Sequence, residues 1–343
     1  MATLQARKAS DGHRPSVLSR LLENRVLGWV GLAVALLAPF VTATAYSLSV
    51  MTSAALFVML AVGLNIVVGY CGLLDLGYAA FFAIGAYTSG ILATRYGWPL
   101  LATVPMVIMA AVLAGVIIGG PTLRLRSDYL AIVTLGFGEI VRITATNLEV
   151  TGGPSGIYGI PSISIGGREL GGPVAFYYTC VAVVALAVVG AARLGRSKLG
   201  RAWRFVREDE DAAEAMGIHT YKVKLAAYVA GAIWGGVAGV LFGAQLTAIS
   251  PQSFTFLSSA LILMAVVLGG MGSIPGVVVG AIFVSVLPEL LRDAADYRFF
   301  IFGVLLIVVM IFRPQGLWPT RGGERAAPER PSSESGTLEE SRT

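Results

Sequence analysis

The ionisable residues inside apolar stretches are the first candidates for chemistry in this chain. Glu139 and Arg142 stand three residues apart in LGFGEIVRI, so they share one face of a helix. A charged side chain at the centre of a bilayer costs roughly 2.5–3.5 kcal/mol on insertion scales, which makes such residues candidates for a functional site. The simpler interpretation is an ion pair that neutralises itself and locks two helices together.

Three further polar residues interrupt apolar sequence. Asp75 lies in GLLDLG, at a glycine-framed break, and we predict that it caps the helix that follows. Asn65 and Gln245 are predicted to form hydrogen bonds between neighbouring helices, which contribute modestly to helix association in membranes.

No catalytic motif accompanies these residues. HExxH, GxSxG and GxGxxG after a strand are all missing, and GRSKLG (195–200) is followed by Arg201 and Ala202 where a phosphate-binding loop needs Lys and Ser/Thr. Cys71 and Cys180 are isolated in or beside apolar segments, so we predict buried thiols rather than a metal or redox site. We therefore expect no enzyme activity, no metal and no cofactor on this chain.

The elements that carry these residues are membrane helices. Of the 343 residues 56% are hydrophobic and 13% are charged, and the mean hydropathy is +0.76. Soluble domains contain about 25% charged residues. The ranges 26–74 and 225–288 contain no Asp, Glu, Lys or Arg, and a single crossing needs about 20 apolar residues. The sequence thus predicts an all-α, polytopic membrane helix bundle.

We predict ten spans, although eight remains possible. The eighth and tenth are short for a full crossing, which indicates shortened or re-entrant helices screened by their neighbours. Pro105, Pro275 and Pro288 predict kinks or breaks. The spans are 26–45, 49–70, 77–94, 99–120, 129–147, 174–194, 225–247, 258–270, 274–290 and 299–312.

The distribution of basic residues predicts the orientation. With both termini in the cytoplasm, 20 of the 25 Lys and Arg residues fall in cytoplasmic segments, as the positive-inside rule requires. This places the tails 1–25 and 319–343 inside, the second of them disordered by composition. The glycine-rich loop 147–173 is then outside, and it is too rich in turn residues to form a domain.

The segment 195–224 is densely charged between apolar neighbours. Acidic residues at 208–211, then Ala and Met, then Gly217 predict a short capped helix over 208–218. An exposed helix between two spans would suit a handle for another protein. An ordinary solvated loop explains the charges equally well.

Six stretches, in order, resemble the permease subunits of branched-chain amino-acid (LIV-type) ABC importers, in particular the LivM-like subunit. Together they cover most of residues 50–319. They are GLNIVVGYCGLLDLGYAAFFAIGAY (63–87), LRLRSDYLAIVTLGFGEIVRI (123–143), TGGPSGI (151–157), GRAWRFVREDEDAAEAMGIHTYKVKLAAYVAGA (200–232), SFTFLSSALILMAVVLGGMGSIPGVVVGA (253–281) and FRPQGLWP (312–319).

The resemblance implies a transmembrane permease domain over 26–318, in the bacterial cytoplasmic (inner) membrane. Its partners would be a second homologous permease, two cytoplasmic ATPase subunits that bind ATP and Mg, and an extracytoplasmic substrate-binding protein, with no nucleic acid. The helix at 208–218 would couple the permease to the ATPases, through Glu208, Asp211, Glu214, Ala215 and Gly217. Only Glu214, Ala215 and Gly217 match the wider importer loop motif, so the register is approximate.

The resemblance also suggests positions along the transport route. The receptor-facing loop would contain Gly152, Gly153, Pro154 and Gly156. Intramembrane polar residues that could line a pathway are Asn65, Asp75, Glu139, Arg142 and Gln245.

Other functions stay open at this stage. A urea or amide permease of the same family is the nearest alternative, because a separate protein would select the substrate. A self-sufficient secondary carrier would need no ATPase, although the spans lack the Asp, Glu and His ladder typical of one. A membrane scaffold would use the charged segment for docking alone.

Overall fold

The computed structural model describes residues 44–124, 127–165, 168–169 and 172–290, with isolated positions in 31–39 and 297–318. The predicted tails 1–25 and 319–343 lie outside the described residues. The first and last predicted spans are described only at isolated positions. The second span begins earlier than predicted, at Ala45, because the Thr44 hydroxyl accepts a hydrogen bond from the Ser47 amide (3.3 Å) and caps the helix.

Helices make up nearly all of the regular structure in the described ranges. The first, α1, ends in a π-helical segment, Ile66–Tyr70. The helices are α1 (Ala45–Asn65), α2 (Ala79–Arg95), α3 (Leu100–Thr122), α4 (Ser127–Asn147), α5 (Pro173–Arg196), α6 (Lys198–Glu208), α7 (Glu210–Ala215), α8 (Thr220–Leu246), α9 (Phe256–Gly269) and α10 (Ile274–Leu290).

Five helices among the described residues are long and apolar enough to cross a membrane. They are α1 with its π-helical end, α3, α4 from Tyr129, α5 and α8. Helix α9 has only 14 residues, which agrees with the short eighth span of the sequence analysis. The protein is therefore a polytopic helical membrane protein.

Helix α8 packs against α1, α2 and α3 and is the centre of the described bundle. Its contact with α2 depends on glycine. A Cβ atom at Gly85 would lie 2.0 Å from the Gly236 carbonyl oxygen, and one at Gly239 would lie 2.4 Å from the Phe82 oxygen. The two backbones thus approach as closely as small residues permit, which is the usual packing of helices in lipid.

The outward surface of the bundle is apolar. Large hydrophobic side chains are exposed along α3 and α4. Such a surface suits contact with lipid tails or another membrane subunit. These exposed residues are Leu101, Met109, Leu113, Val116 and Ile117 on α3, and Tyr129, Ile132, Val133, Leu135, Ile140 and Ile143 on α4.

Prolines do not interrupt the helices that contain them. Helix α3 continues through Pro105 and Pro121, and α10 continues through Pro288. The helices are therefore not broken at Pro105 or Pro288, and the alternative of a kink at these residues stays a prediction. Neighbouring helices can satisfy the backbone groups that a proline frees within a bundle. Pro275 is the second residue of α10, where a missing N–H group costs nothing.

Four two-residue strands are a small departure from the predicted all-α class. Strand β1 (Ile157–Tyr158) pairs antiparallel with β4 (Ala248–Ile249), and β2 (Ser164–Ile165) pairs with β3 (Arg168–Glu169). Three 3-10 turns lie beside them: Glu149–Thr151, Gly153–Ser155 and Pro251–Phe254. The β1–β4 pair joins the 147–173 loop to the segment between α8 and α9.

Candidate functional site

The charged segment 195–224 and the 147–173 loop lie at opposite ends of α5. This helix has 24 residues, and at 1.5 Å per residue it is about 36 Å long, enough to cross a bilayer. The loop precedes its first residue and the charged segment follows its last. The two are therefore separated by the length of one candidate span, which is the arrangement that the predicted orientation requires.

Helix α6 was not predicted from the sequence. It begins after Ser197, whose hydroxyl accepts a hydrogen bond from the Gly200 amide (3.3 Å), and it buries Gly200, Trp203 and Val206 on one face. Their spacing of three residues is a pattern typical of a helix, and the sequence contains it. The abundance of Lys and Arg obscured it, because four basic residues alternate with the buried ones: Lys198, Arg201, Arg204 and Arg207.

Helix α7 is shorter than the predicted 208–218 helix, and the predicted start at 208 is wrong because the helix begins at Glu210. Asp209 is extended (φ −155°, ψ 114°), and its Oδ1 accepts a hydrogen bond from the Ala212 amide at 2.9 Å. This N-cap requires a non-helical backbone at Asp209, so it separates α6 from α7. Glu208 is thus the last residue of α6, whereas Asp211, Glu214 and Ala215 are in α7. Gly217 has a φ of 82°, which confirms the predicted left-handed C-terminus.

Helix α7 is attached by one face and open on the other. Ala213 is buried, whereas Asp211, Glu214, Ala215 and Gly217 are exposed. Met216 is 83% exposed, which is unusual for a large apolar side chain. An acidic surface with an apolar tip therefore projects from the membrane domain, and Met216 is a candidate that the sequence analysis missed.

Two buried contacts fix this region to the spans. Trp203 is 1% exposed, stacks on Tyr70 of α1 (centroids 6.4 Å apart) and donates from Nε1 to the Val223 carbonyl at 2.8 Å. The Lys224 side chain, only 7% exposed, forms an ion pair with Glu210 at the first turn of α7. The sequence does not show which acid Lys224 meets, because Glu210 lies 14 positions away.

A third attachment reaches the π-helical end of α1. The Arg207 guanidinium donates a hydrogen bond to the Gly69 carbonyl. Asn65, one turn earlier, accepts a hydrogen bond on Oδ1 from the Gly272 amide in the α9–α10 turn at 2.8 Å. Asn65 was predicted to form a hydrogen bond between helices, and its partner is instead the amide of a turn. This junction of Asn65, Gly69, Arg207 and Gly272 joins α6, α1 and the α9–α10 turn.

Asp75 does not cap α2, contrary to the prediction. Its Oδ1 accepts a hydrogen bond from the Gly77 amide at 2.8 Å, two residues ahead of the helix. The first amide of α2, Ala79, instead donates to the Ser259 hydroxyl of α9 at 2.9 Å. Asp75 is fully buried and orders the turn between α1 and α2, while a distant helix supplies the cap.

Glu139 and Arg142 form the predicted ion pair, but within α4 alone. Arg142 Nε donates to both carboxylate oxygens at 3.0 Å, and Nη2 also contacts Oε1. The side chains are 42% and 28% exposed. The expectation that the pair locks two helices is therefore wrong. The residues are three apart on one helix, and both point along its partly open face.

Gln245 forms the predicted hydrogen bonds between helices. Its Nε2 donates to the Ser53 hydroxyl at 2.9 Å and to the Ser49 carbonyl at 3.2 Å, which joins the end of α8 to the start of α1. It lies far along α8 from the α6–α7 region. The five intramembrane polar candidates thus do not converge on one site.

The predicted receptor-facing loop has a defined backbone. Gly152, Gly153 and Gly156 have φ values of 79°, 61° and 82°, and Pro154 lies in a 3-10 turn between them. A Cβ atom at Gly156 would lie 1.9 Å from the Ile249 carbonyl oxygen, so the loop packs directly against β4. Arg95 donates to the Glu149 carbonyl at 3.0 Å and joins the end of α2 to the same loop.

Comparison with known proteins identifies relatives over most of the chain. The family model for "Branched-chain amino acid transport system / permease component" matches residues 46–312. The high-affinity branched-chain amino acid transport system permease protein LivM of Escherichia coli (strain K12) is 42% identical over 297 residues, 80% of this chain and 70% of the relative. The LivM protein of Salmonella typhimurium is 40% identical over 329 residues, 89% of this chain and 77% of the relative.

A permease protein with a different name is also similar. The high-affinity branched-chain amino acid transport system permease protein LivH of Escherichia coli (strain K12) is 26% identical over 285 residues, 76% of this chain and 90% of the relative. No solved structure gives a significant match.

Proposed function

This chain belongs to the family of branched-chain amino acid transport system permease components, and we propose that it is a membrane-spanning subunit of an ATP-driven importer for branched-chain amino acids. It resides in the bacterial inner membrane with ten spans and both termini in the cytoplasm. A second, homologous permease subunit completes the membrane domain. The similarity to proteins named LivM and to one named LivH supports this pairing.

The structural observation that carries the proposal is the attachment of α7. Its exposed face holds Asp211 and Glu214, and the exposed Met216 follows its last residue. Trp203, Arg207 and Lys224 secure the same region to α1 and α8. A solvated loop needs no such attachment. A helix that receives a mechanical load from a partner needs it, because movement must pass to the spans.

Two cytoplasmic ATPase subunits are the partners that we assign to this face. They bind ATP and Mg, and this chain holds no cofactor. Closure of the ATPases on ATP pushes α7, and α6 passes the movement to α1 and α8. An extracytoplasmic binding protein delivers substrate at the other face, where Gly152, Gly153, Pro154 and Gly156 form the receptor-facing loop.

Uptake by the reconstituted complex tests the proposal. The chain is assembled in proteoliposomes with its homologous permease, the ATPase pair and the binding protein, and entry of labelled leucine and labelled urea is measured with and without ATP. We expect ATP-dependent entry of leucine only. Urea entry would instead support the amide permease, and entry through this chain alone without ATP would support a secondary carrier.

A further inference from the structure

A cavity of about 190 Å³ lies between α2, α4 and α9 and opens to the outward apolar surface, where Leu135 and Phe256 are exposed. Its apolar wall includes Leu76, Leu135, Phe254 and Phe256, and its polar lining includes Glu139 and Ser259. A water molecule occupies about 30 Å³ in the liquid, so the cavity has room for more than a single water.

The cavity lies near the middle of the candidate span of α4. Glu139 is the eleventh residue of the 19-residue span Tyr129–Asn147, which puts it roughly 12–15 Å from either end at 1.5 Å per residue. Helices α2 and α9 both begin at the cavity, with Ala79 and Phe256 among its lining residues. Both helices therefore begin beside the middle of the α4 span.

A carboxylate lines the cavity, and a guanidinium that does not line it lies beside that carboxylate. Arg142 is one turn from Glu139 and holds its carboxylate through Nε and Nη2, so the pair is neutral as a whole. The Ser259 hydroxyl oxygen accepts a hydrogen bond from the Ala79 amide, and the hydroxyl group still has a proton to donate. An intramembrane ion pair on a partly open helix face is costly unless it has a function or a partner.

We infer that this cavity is a transit site for a zwitterionic α-amino acid with an aliphatic side chain. The inference rests on the proposed function and names residues for it. The substrate ammonium group binds the Glu139 carboxylate, and the substrate carboxylate binds the Arg142 guanidinium. The aliphatic side chain lies against Leu135, Phe254 and Phe256. A zwitterion adds no net charge to the neutral pair. Each of its two charged groups also meets an oppositely charged side chain in place of the water that it loses.

Cysteine protection in the assembled complex tests this inference. Leu135→Cys places a thiol on the cavity wall, and the rate of its reaction with a small maleimide is measured with and without L-leucine. We expect leucine to slow the reaction at least threefold. Ile143→Cys is the matched control, because Ile143 is exposed on the same helix but does not line the cavity. The native Cys71 and Cys180 are buried and contribute little background.

Two analogues distinguish recognition of both charged groups of leucine from mere occupation of the cavity by an aliphatic chain. 4-Methylpentanoate carries only the carboxylate and isopentylamine only the ammonium group, and we expect neither to protect the Leu135→Cys thiol at the leucine concentration. Glu139→Gln should abolish protection by leucine. Because the analogue comparison uses native Glu139, it remains decisive if the Gln variant does not assemble.

The experiment distinguishes failure of the cavity assignment from failure of the proposed function. Uptake of leucine is measured in the same Leu135→Cys preparation. A complex that transports leucine without any protection of the introduced thiol overturns the cavity assignment alone. Equal protection by leucine and by both analogues, or full protection in an assembled Glu139→Gln complex, also overturns it.

Discussion

Arg207 of α6 donates a hydrogen bond to the main-chain carbonyl of Gly69, within the π-helical segment that ends α1. The π-helical segments of proteins are often found at functional sites. Here a side chain of α6 supplies a charged partner to a carbonyl near the end of a candidate span. Displacement of α6 therefore acts directly on α1, and Gly272 brings the α9–α10 turn to the same point.

Arg207→Met should uncouple ATP hydrolysis from transport. The substitution keeps much of the aliphatic chain but removes a charge-assisted hydrogen bond, which typically contributes about 1.5–3 kcal/mol. We expect the subunit to insert and assemble, with leucine uptake per ATP hydrolysed reduced at least fivefold. Uptake and phosphate release are measured in the same proteoliposomes.

Arg201→Met is the matched control on the same helix. The Arg201 guanidinium bonds only locally, to the Arg196 carbonyl at 3.2 Å, and its side chain is exposed. The Arg201→Met complex should take up as much leucine per ATP hydrolysed as the native complex does. Equal losses in the two variants would mean that the charge of α6, rather than the Gly69 contact, is what matters.

Gly217→Val should weaken association with the ATPases while this subunit remains folded. A non-glycine residue at a positive φ costs about 1–2 kcal/mol, most of all when it is β-branched. Among the described residues, no atom beyond the chain neighbours of Gly217 lies within 4 Å of the position that a Cβ would occupy, so backbone strain is the cost that we expect. We expect reduced co-purification of the ATPases and loss of receptor-stimulated hydrolysis.

Gly217→Asn tests whether this position needs a left-handed backbone or needs the absence of a side chain. Asn tolerates the left-handed region, so this variant should retain most of the ATPase association. Loss of association in Gly217→Asn as severe as in Gly217→Val would show that the bare backbone, not its conformation, is required at this position.

Glu214→Arg tests the exposed face of α7 rather than its backbone. Glu214 is exposed, on the side of the helix away from the buried Ala213. The variant should therefore insert and pair with the homologous permease but fail to recruit the ATPases. Normal recruitment and normal uptake would leave α7 as an ordinary solvated segment.

The sequence predicted those features that depend on composition and local pattern. Apolar runs predicted the spans, and Gly217 predicted a helix end, because each follows from a few neighbouring residues. The cap of α2 could not be predicted, since Ser259 lies 180 positions away from Ala79. The same limit applies to Arg207 and Gly69, and to the pairing of Lys224 with Glu210. Partners brought together by packing leave no local signal.

Gly239→Ala should destabilise the bundle, because its methyl group would meet the backbone of α2. The added Cβ would lie 2.4 Å from both the Ala86 nitrogen and the Phe82 oxygen. Overpacking of this kind costs about 1–3 kcal/mol or more. We expect a lower thermal unfolding midpoint in detergent.

Gly136→Ala provides the comparison in α4. No atom lies within 4 Å of its added Cβ, and alanine is the better helix former by about 0.5–1 kcal/mol. Its unfolding midpoint should be unchanged or higher. A midpoint that falls equally in both variants would refute the close α2–α8 approach as the cause.

Labelling of single cysteines should show Ser162 on the outside of the cell and Glu214 on the inside. Ser162 is exposed in the 147–173 loop and Glu214 is exposed on α7, at opposite ends of the 24-residue helix α5. The 20-to-5 distribution of Lys and Arg predicts which end is cytoplasmic. A membrane-impermeant maleimide added to intact spheroplasts should therefore react with Ser162→Cys and reach Glu214→Cys only after the membrane is opened. The reverse pattern would invert the topology, and with it the assignment of α7 to the ATPases and of Gly152 to the receptor.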